Sequence, residues 1–355
     1  MIIINLTLKK MKRFLFITVL TVILFSSCDT SDNVTKNESQ TNLSSVQLSE
    51  MKNVCSLIDS LNTVYTMDIV KPQSRGFGRS LFDVCSGNLV DEMGSVVGGF
   101  VGKWVGSAIG SATGNPVFTV AGYVGGRYVG RKAGSVAAST AYAMVLAKCH
   151  LTVTNPNINK DEYVYYNPNA LKQLTLNDID TTKNKANYTD GEIHNIIMVK
   201  LVKNYDKYIN PDNTLNYNLL ISDALKYEQE IVNDPNYDMY YPIVKDKLTE
   251  QTKRIINASL NLDLENDYDA YYDRVYNTLI HEIKISREEF NNATSISKNV
   301  SNTYFYLNTE NTIKLSNEID NVIDSSKLND ETKLELKNSN SILKSSSMLW
   351  KQLAK

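Results

Sequence analysis

The chain is short of the residues on which most enzyme chemistry depends. It has three histidines, His150, His194 and His281, far apart among 355 residues. His281-Glu282 is not followed by a second histidine at the spacing a zinc-binding helix needs, so no metal centre is read. Asp267, Asp269 and Asp273 lack the glycine and the bidentate glutamate of a calcium loop and read as a solvated helix start. No phosphate loop, nucleophile elbow or dinucleotide fingerprint occurs. An enzyme is therefore not expected, nor is a cofactor. Charge of one sign is lacking too: the formal net charge is −2, which creates no field to concentrate nucleic acid. Length, by contrast, is ample for two domains and a sizeable core.

Long hydrophobic runs are also scarce. From Met11-Lys12-Arg13 the chain enters an apolar run, Phe14 to Phe25, that closes on Ser26-Ser27-Cys28. A dozen residues are too few to cross a bilayer core of about 30 Å as a helix. A basic start, a short apolar core and small residues before a cysteine make a lipoprotein signal peptide, residues 1–28, with Cys28 lipidated as the first mature residue. An ordinary secretory signal or an uncleaved anchor is the plainer alternative. Met1 to Lys10 precede the better start at Met11. The next residues, Asp29-Thr30-Ser31-Asp32-Asn33, resemble the acidic surface-export signals of Bacteroidetes lipoproteins, which implies an outer-membrane, surface-exposed location.

Residues 29–50 are rich in Ser, Thr, Asn and Gln and bury too little to fold, so they read as a flexible tether. Residues 51–80 follow as a short helix and a loop. Met51, Val54, Leu57, Ile58, Leu61, Val64 and Tyr65 fall at helical spacing, and Lys71 to Arg79, with Pro72, Gly76 and Gly78, breaks the pattern. Arg75-Gly76 lies in that loop as a glycine-flanked basic site, and a cut there would separate the lipid anchor from the glycine-rich segment that follows unless a disulfide holds them.

Sixteen glycines are present, and ten of them share one register: 94, 98, 102, 106, 110 and 114, then 122, 126, 130 and 134, with Phe118 the one exception among eleven positions. Asn115-Pro116 sits in the gap, where proline lacks an amide donor and asparagine tolerates a turn. The expectation for residues 81–149 is a hairpin of two antiparallel helices packed through glycine. Each glycine disfavours helix by about 1 kcal/mol relative to alanine, so the first arm forgoes about 6 kcal/mol in water. In hydrocarbon, unpaired amides enforce helix and missing side chains let backbones approach. Gly94 to Gly114 would span about 30 Å. Lys103, Arg127, Arg131 and Lys132 oppose a purely lipid-facing pair; they imply a water-lined face, snorkelling, or a segment stored in soluble form. A four-residue step advances about 400° on a helix, so six glycines wind through about 200°. One straight partner cannot cover such a row, which suits crossing helices or a homo-oligomer. The plainer reading is a packed structural hairpin in a water-soluble domain.

Cysteine is rare, with four residues. With Cys28 lipidated, Cys55, Cys85 and Cys149 remain in an oxidising compartment. Cys85 lies 31 residues before Pro116 and Cys149 lies 33 after it, so antiparallel arms bring these two to one end and favour their pairing. The competing pairs join Cys55 to Cys85 or to Cys149, which would keep a fragment attached after a cut in the Arg75 loop.

From residue 150 to 355 the composition changes. All but four of the 21 tyrosines fall here. Apolar residues recur at helical spacing over Ile193 to Tyr205, Leu219 to Ile231, Ile243 to Ile256 and Tyr268 to Ile283, with breaks at Asn155-Pro156, Asn210-Pro211 and Asp234-Pro235. This predicts an all-α domain. The last stretch, with Ile342, Leu343, Met348, Leu349, Trp350 and Leu353 among lysines, reads as a terminal helix docked on its own domain in preference to a membrane-binding one.

The fold class expected is thus mainly α: a lipidated flexible tether, a glycine-zipper helical hairpin and an all-α carboxy-terminal domain. The order of lipobox with acidic start, polar tether, Arg-containing loop, glycine zipper and Tyr/Asn-rich helical domain resembles the antibacterial lipoprotein toxins of Bacteroidales that become active after proteolysis. The resemblance is specific at the lipobox and the zipper. It implies a bacteriocin-like protoxin cut by an Arg-specific, clostripain-like protease, after Arg75 first and Arg79 second, which then attacks the envelope of related bacteria. Implied partners are membrane lipid, a target-cell surface receptor and a cognate immunity protein. The alternative is a structural lipoprotein resembling the two-helix glycine-zipper envelope proteins, without killing activity.

Overall fold

In a computed structural model of the chain, the residues described are 45–67, 87–99 apart from 89, 102, 116–148, 168–260 apart from 178, 235 and 236, isolated positions from 273 to 291, and 294–353. They are mainly helical, as expected, and among them there is no strand, only a single bridge between Ile209 and Leu215.

The elements are α1 Ser45–Thr66, α2 Pro116–Lys148, α3 Pro168–Lys172, α4 Asp190–Lys203, α5 Tyr217–Val232, α6 Tyr237–Leu260, α7 Ser295–Tyr306, α8 Thr309–Ser325 and α9 Asp330–Leu353. Residues 87, 88 and 90–99 are also helical. Local chemistry accounts for several of the ends. Pro116 opens α2 at the first position, where its missing amide has no helical acceptor to lose. Thr189 and Glu192 cap α4 reciprocally, each side chain accepting from the other's backbone amide. Asn233 closes α5 in the left-handed region at φ 53°, a conformation asparagine tolerates better than most residues. The turn from α5 to α6 is held by Gln229, which accepts from the Asp234 amide and donates to its carbonyl.

α2 is the axis of the larger core. From Val129 to Val145 every described side chain is buried, and most are small: Ala133, Ser135, Ala137, Ala138, Ser139, Thr140, Ala141, Ala143. A helix apolar or small on all sides has to be enclosed, and α4, α5 and α6 pack around it. Val90, Met93 and Val97 join the same core as Ile197, Leu201, Leu220, Ile221, Leu225, Val244 and Leu248. The glycine-bearing helices therefore share one core with α4, α5 and α6, within a single compact unit Leu43–Lys355. The boundary at 149/150 does not separate two cores.

A second, smaller core forms between α1, α7, α8 and the first half of α9. α1 starts at Ser45, inside the stretch read as tether, because its first turns have partners. Gln47 accepts from the Asn329 amide and donates to the Lys327 carbonyl, and Glu50 accepts from the Lys327 amide. Met51, Val54 and Ile58 are its buried face, while Leu57, Val64 and Met67 are exposed. Asn62 donates to the Asn299 carbonyl at 2.6 Å and Tyr65 to Glu318 at 2.9 Å. The terminal helix α9 docks on its own fold and bridges both cores, with Leu336 and Leu343 in the smaller and Leu349 and Trp350 in the larger. Among the described residues, no helix is long and apolar enough to cross a membrane.

Candidate functional site: the glycine contact and its polar layer

The two glycine rows meet backbone to backbone. A Cβ placed on Gly94 would overlap the Gly134 carbonyl oxygen and lie 2.6 Å from the Ala138 Cβ; one on Gly98 would overlap the Gly130 carbonyl oxygen and lie 2.9 Å from the Gly134 Cα. The reverse holds from the other side, since a Cβ on Gly130 would lie 2.9 Å from the Gly102 Cα and one on Gly134 would lie 2.8 Å from the Gly98 Cα. Rising along one row means falling along the other, so the contact is antiparallel. It is carried by Gly94, Gly98, Gly102, Gly130 and Gly134, a short crossing of the kind a winding row allows. Gly122 and Gly126 lie in the first half of α2. Gly106, Gly110 and Gly114, the connection before Pro116, Lys103, Cys28, Arg75, Arg79, Cys85 and Cys149 lie outside the described residues, as does any pairing of those cysteines. Cys55 is a free thiol whose pKa is raised, chiefly by burial.

The other face of segment 87–99 is polar. Asn88, Asp91, Glu92 and Ser95 recur at intervals of three, one and three, which places them on one side of a helix, and all four are buried. Each has a partner on a neighbouring helix. Asn88 donates to Ser347 Oγ at 2.6 Å. Asp91 accepts from Ser139 and Ser346, and from Trp350 Nε1 at 3.0 Å. Glu92 accepts from Ser339 at 2.5 Å, and Ser95 accepts from Arg131 Nε at 2.9 Å. Burial pushes the Asp91 carboxyl well above the usual range and the Glu92 carboxyl up to about 8. Both are thereby kept neutral and close to hydroxyl groups, which avoids the several kcal/mol that an isolated buried charge would cost.

Two cations of α2 are paired with acids as well. Arg127 pairs with Glu331 and Glu335 of α9, and Lys132 lies 2.9 Å from Asp190 with both side chains buried. Glu228 of α5 is buried near Lys132 and Asp190, and burial raises its pKa strongly. Lys132 and Asp190 pair inside the protein, and Arg127 pairs with its acids at a partly exposed edge.

His194 joins the layer through Ser139, whose Oγ is 2.7 Å from His194 Nε2, while His194 Nδ1 faces Asn195 Oδ1 at 2.9 Å. Burial lowers the imidazole pKa to about 4, so it is neutral. Serine, histidine and aspartate meet here, but in the wrong order for a nucleophile relay. The hydroxyl stands between the acid and the imidazole, whereas a relay needs the imidazole between. Ser139 and Asp91 are fully buried and His194 nearly so. Asn195 continues the network by donating to the Ser345 carbonyl at 2.8 Å.

Sequence reasoning found the glycine rows and missed this layer. One signal was available, the polar stripe at 88, 91, 92 and 95 directly before the glycine repeat. The serines of α9, Ser339 and Ser345 to Ser347, carried none, because serine on a terminal helix reads as a solvated face. No family model, no curated protein and no solved structure matches the chain.

Proposed function

We propose that this chain is an antibacterial lipoprotein protoxin, anchored through Cys28 in the outer membrane and activated by cleavage after Arg75. The cut form acts on the envelope of related bacteria, inserting or oligomerising through the glycine rows of Gly94 to Gly134. The helices after residue 150 then serve recognition of a surface receptor, a cognate immunity protein protects the producer, and an Arg-specific, clostripain-like protease makes the cut.

One observation supports this reading above the others. The glycine helices are held in a water-compatible packing in which Arg127, Arg131 and Lys132 each face a partner from another segment. That is the arrangement expected of a membrane element stored before use, since the same charges would oppose its constitutive insertion. The structural-lipoprotein reading draws on the same close contact of Gly98 with Gly130, which a permanent internal packing would also need. Adding cut protein and an uncut Arg75→Ala variant to lawns of related strains separates the two. Clearing by cut protein alone is expected; no clearing by either would refute the toxin.

A further inference from the structure

We infer that α9 is a clasp over segment 87–99, and that its second half must let go before the glycine row can be offered to another helix. The inference rests on the reading of the glycine rows as a deployable element.

Segment 87–99 is held from two sides. On one, Gly94 and Gly98 lie on α2. On the other, the contacts to α9 run along the polar stripe: Asn88 with Ser347, Asp91 with Ser346 and Trp350, Glu92 with Ser339. Trp350 closes the end. Its indole lies so close to Gly87 that a Cβ there would be 2.6 Å from Nε1, and its ring packs edge-on to Tyr142 at 6.0 Å. A side chain at position 87 would push the clasp off.

The two halves of α9 enter different cores. The first half is fixed in the smaller core by Leu336 and Leu343, and Asn340 there donates to the Ser316 carbonyl and accepts from Tyr304. The part after Leu343 carries the contacts of Ser346, Ser347 and Trp350 and ends three residues past Trp350, at Leu353. That part is held by Leu349 and Trp350 in the larger core and by hydrogen bonds of Gln352 with the Thr175 backbone, Lys351 with the Leu307 carbonyl, and Asn195 of α4 with the Ser345 carbonyl. Helix ends open at lower free energy than helix centres, so the clasp sits at the part of α9 able to open while the smaller core stays closed. Once it opens, Asp91 loses Ser346 and Trp350 and Asn88 loses Ser347, so this end of the segment is left with its contact to α2 and the Glu92 bond to Ser339.

Hydrogen exchange on the full chain tests the clasp without any membrane. In a Ser339→Ala, Ser346→Ala double variant, amides of 90–99 and of 345–353 should exchange at least about tenfold faster, because the buried Glu92 loses the Ser339 donor and Asp91 loses one of its three. Amides of α7 and α8 should be unchanged. A uniform rise across all helices, or no rise at 90–99, would overturn the clasp. A second variant, Asn88→Cys with Ser347→Cys, locks the clasp by oxidation. Cut, locked protein should fail to release dye from vesicles of outer-membrane lipid and recover on reduction, with reduced wild type as control; release from locked protein would overturn the clasp. If unlocked cut protein releases no dye while the exchange result holds, the functional reading fails and the clasp stands.

Discussion

Gly98 and Gly99 are neighbours on one helix, and the packing predicts opposite responses to the same substitution. A Cβ at Gly98 would overlap the Gly130 carbonyl oxygen and stand 2.8 Å from its carbon, and its nearest neighbours are all backbone, which cannot turn away. A Cβ at Gly99 would meet the Arg127 Cγ and the Arg131 Cβ at 3.8 Å, ordinary contact distance. Either alanine gains about 1 kcal/mol of helix propensity. At Gly98 the helices must separate by about 1 Å, which forfeits up to half of the dispersion energy across the contact, and overpacking of this kind costs about 3 kcal/mol. Gly98→Ala should therefore lose about 2 kcal/mol net, and Gly99→Ala should gain about 1. Urea unfolding of the two variants beside the parent, with a common slope, measures the difference. Changes of the same sign, within about 0.5 kcal/mol of each other, would refute the backbone contact as the reason for the four-residue repeat.

Other expectations follow from the same contacts. Glu92 holds its proton in the fold up to about 8 against an ordinary value of 4.5, so the unfolded chain binds fewer protons between those values and stability falls as pH rises through that window. Glu92→Gln should flatten that limb in urea melts across the window, and an unchanged slope would contradict the assignment. His194 is neutral down to about 4 against an ordinary 6.5, so it contributes a loss of stability as pH falls from 6.5 towards 4, and His194→Gln should remove that loss. α1 buries Met51, Val54 and Ile58 on the second core, each worth about 1.5–3 kcal/mol. After cleavage at Arg75 the amino-terminal fragment should co-elute with the rest on size exclusion under reducing conditions; an Ile58→Asp variant should lose it, and separation of the unmodified fragment would sink this. Thr189→Ala removes a capping box and should lower stability by about 1 kcal/mol; no loss would mean that Glu192 and its partner Lys183 suffice for that helix end.

Much of the helical fold was readable in advance. The spacing of Ile193, Ile197, Leu201 and Val202 gave α4, Leu220 and Leu225 gave α5, and Val244, Leu248 and Ile255 gave α6, because each buried stripe is made of large apolar residues. α7 and α8 went unread. Their buried stripes, Ile296, Val300 and Tyr304, and Leu315, Ile319 and Ile323, are one residue wide and diluted by Ser, Thr and Asn, some of which are themselves buried. The docking of α9 was expected from its apolar residues; its serine face was not, since a hydroxyl that donates to a buried carboxyl looks the same in sequence as one that donates to water. The glycine contact shows the same division. Periodicity singled out Gly94, Gly98, Gly130 and Gly134 as packing positions, while the partners of Arg127, Arg131 and Lys132 come from residues up to 208 positions away and no local pattern points to them.

The central claim, that a stored glycine element becomes membrane-active after a cut, is tested most directly by dye release from liposomes. Intact protein, Arg75-cleaved protein and a cleaved Gly106→Ile variant would be compared at equal concentration. The account predicts release by the cleaved parent alone. Equal release from all three, or none from the cleaved parent, would contradict it.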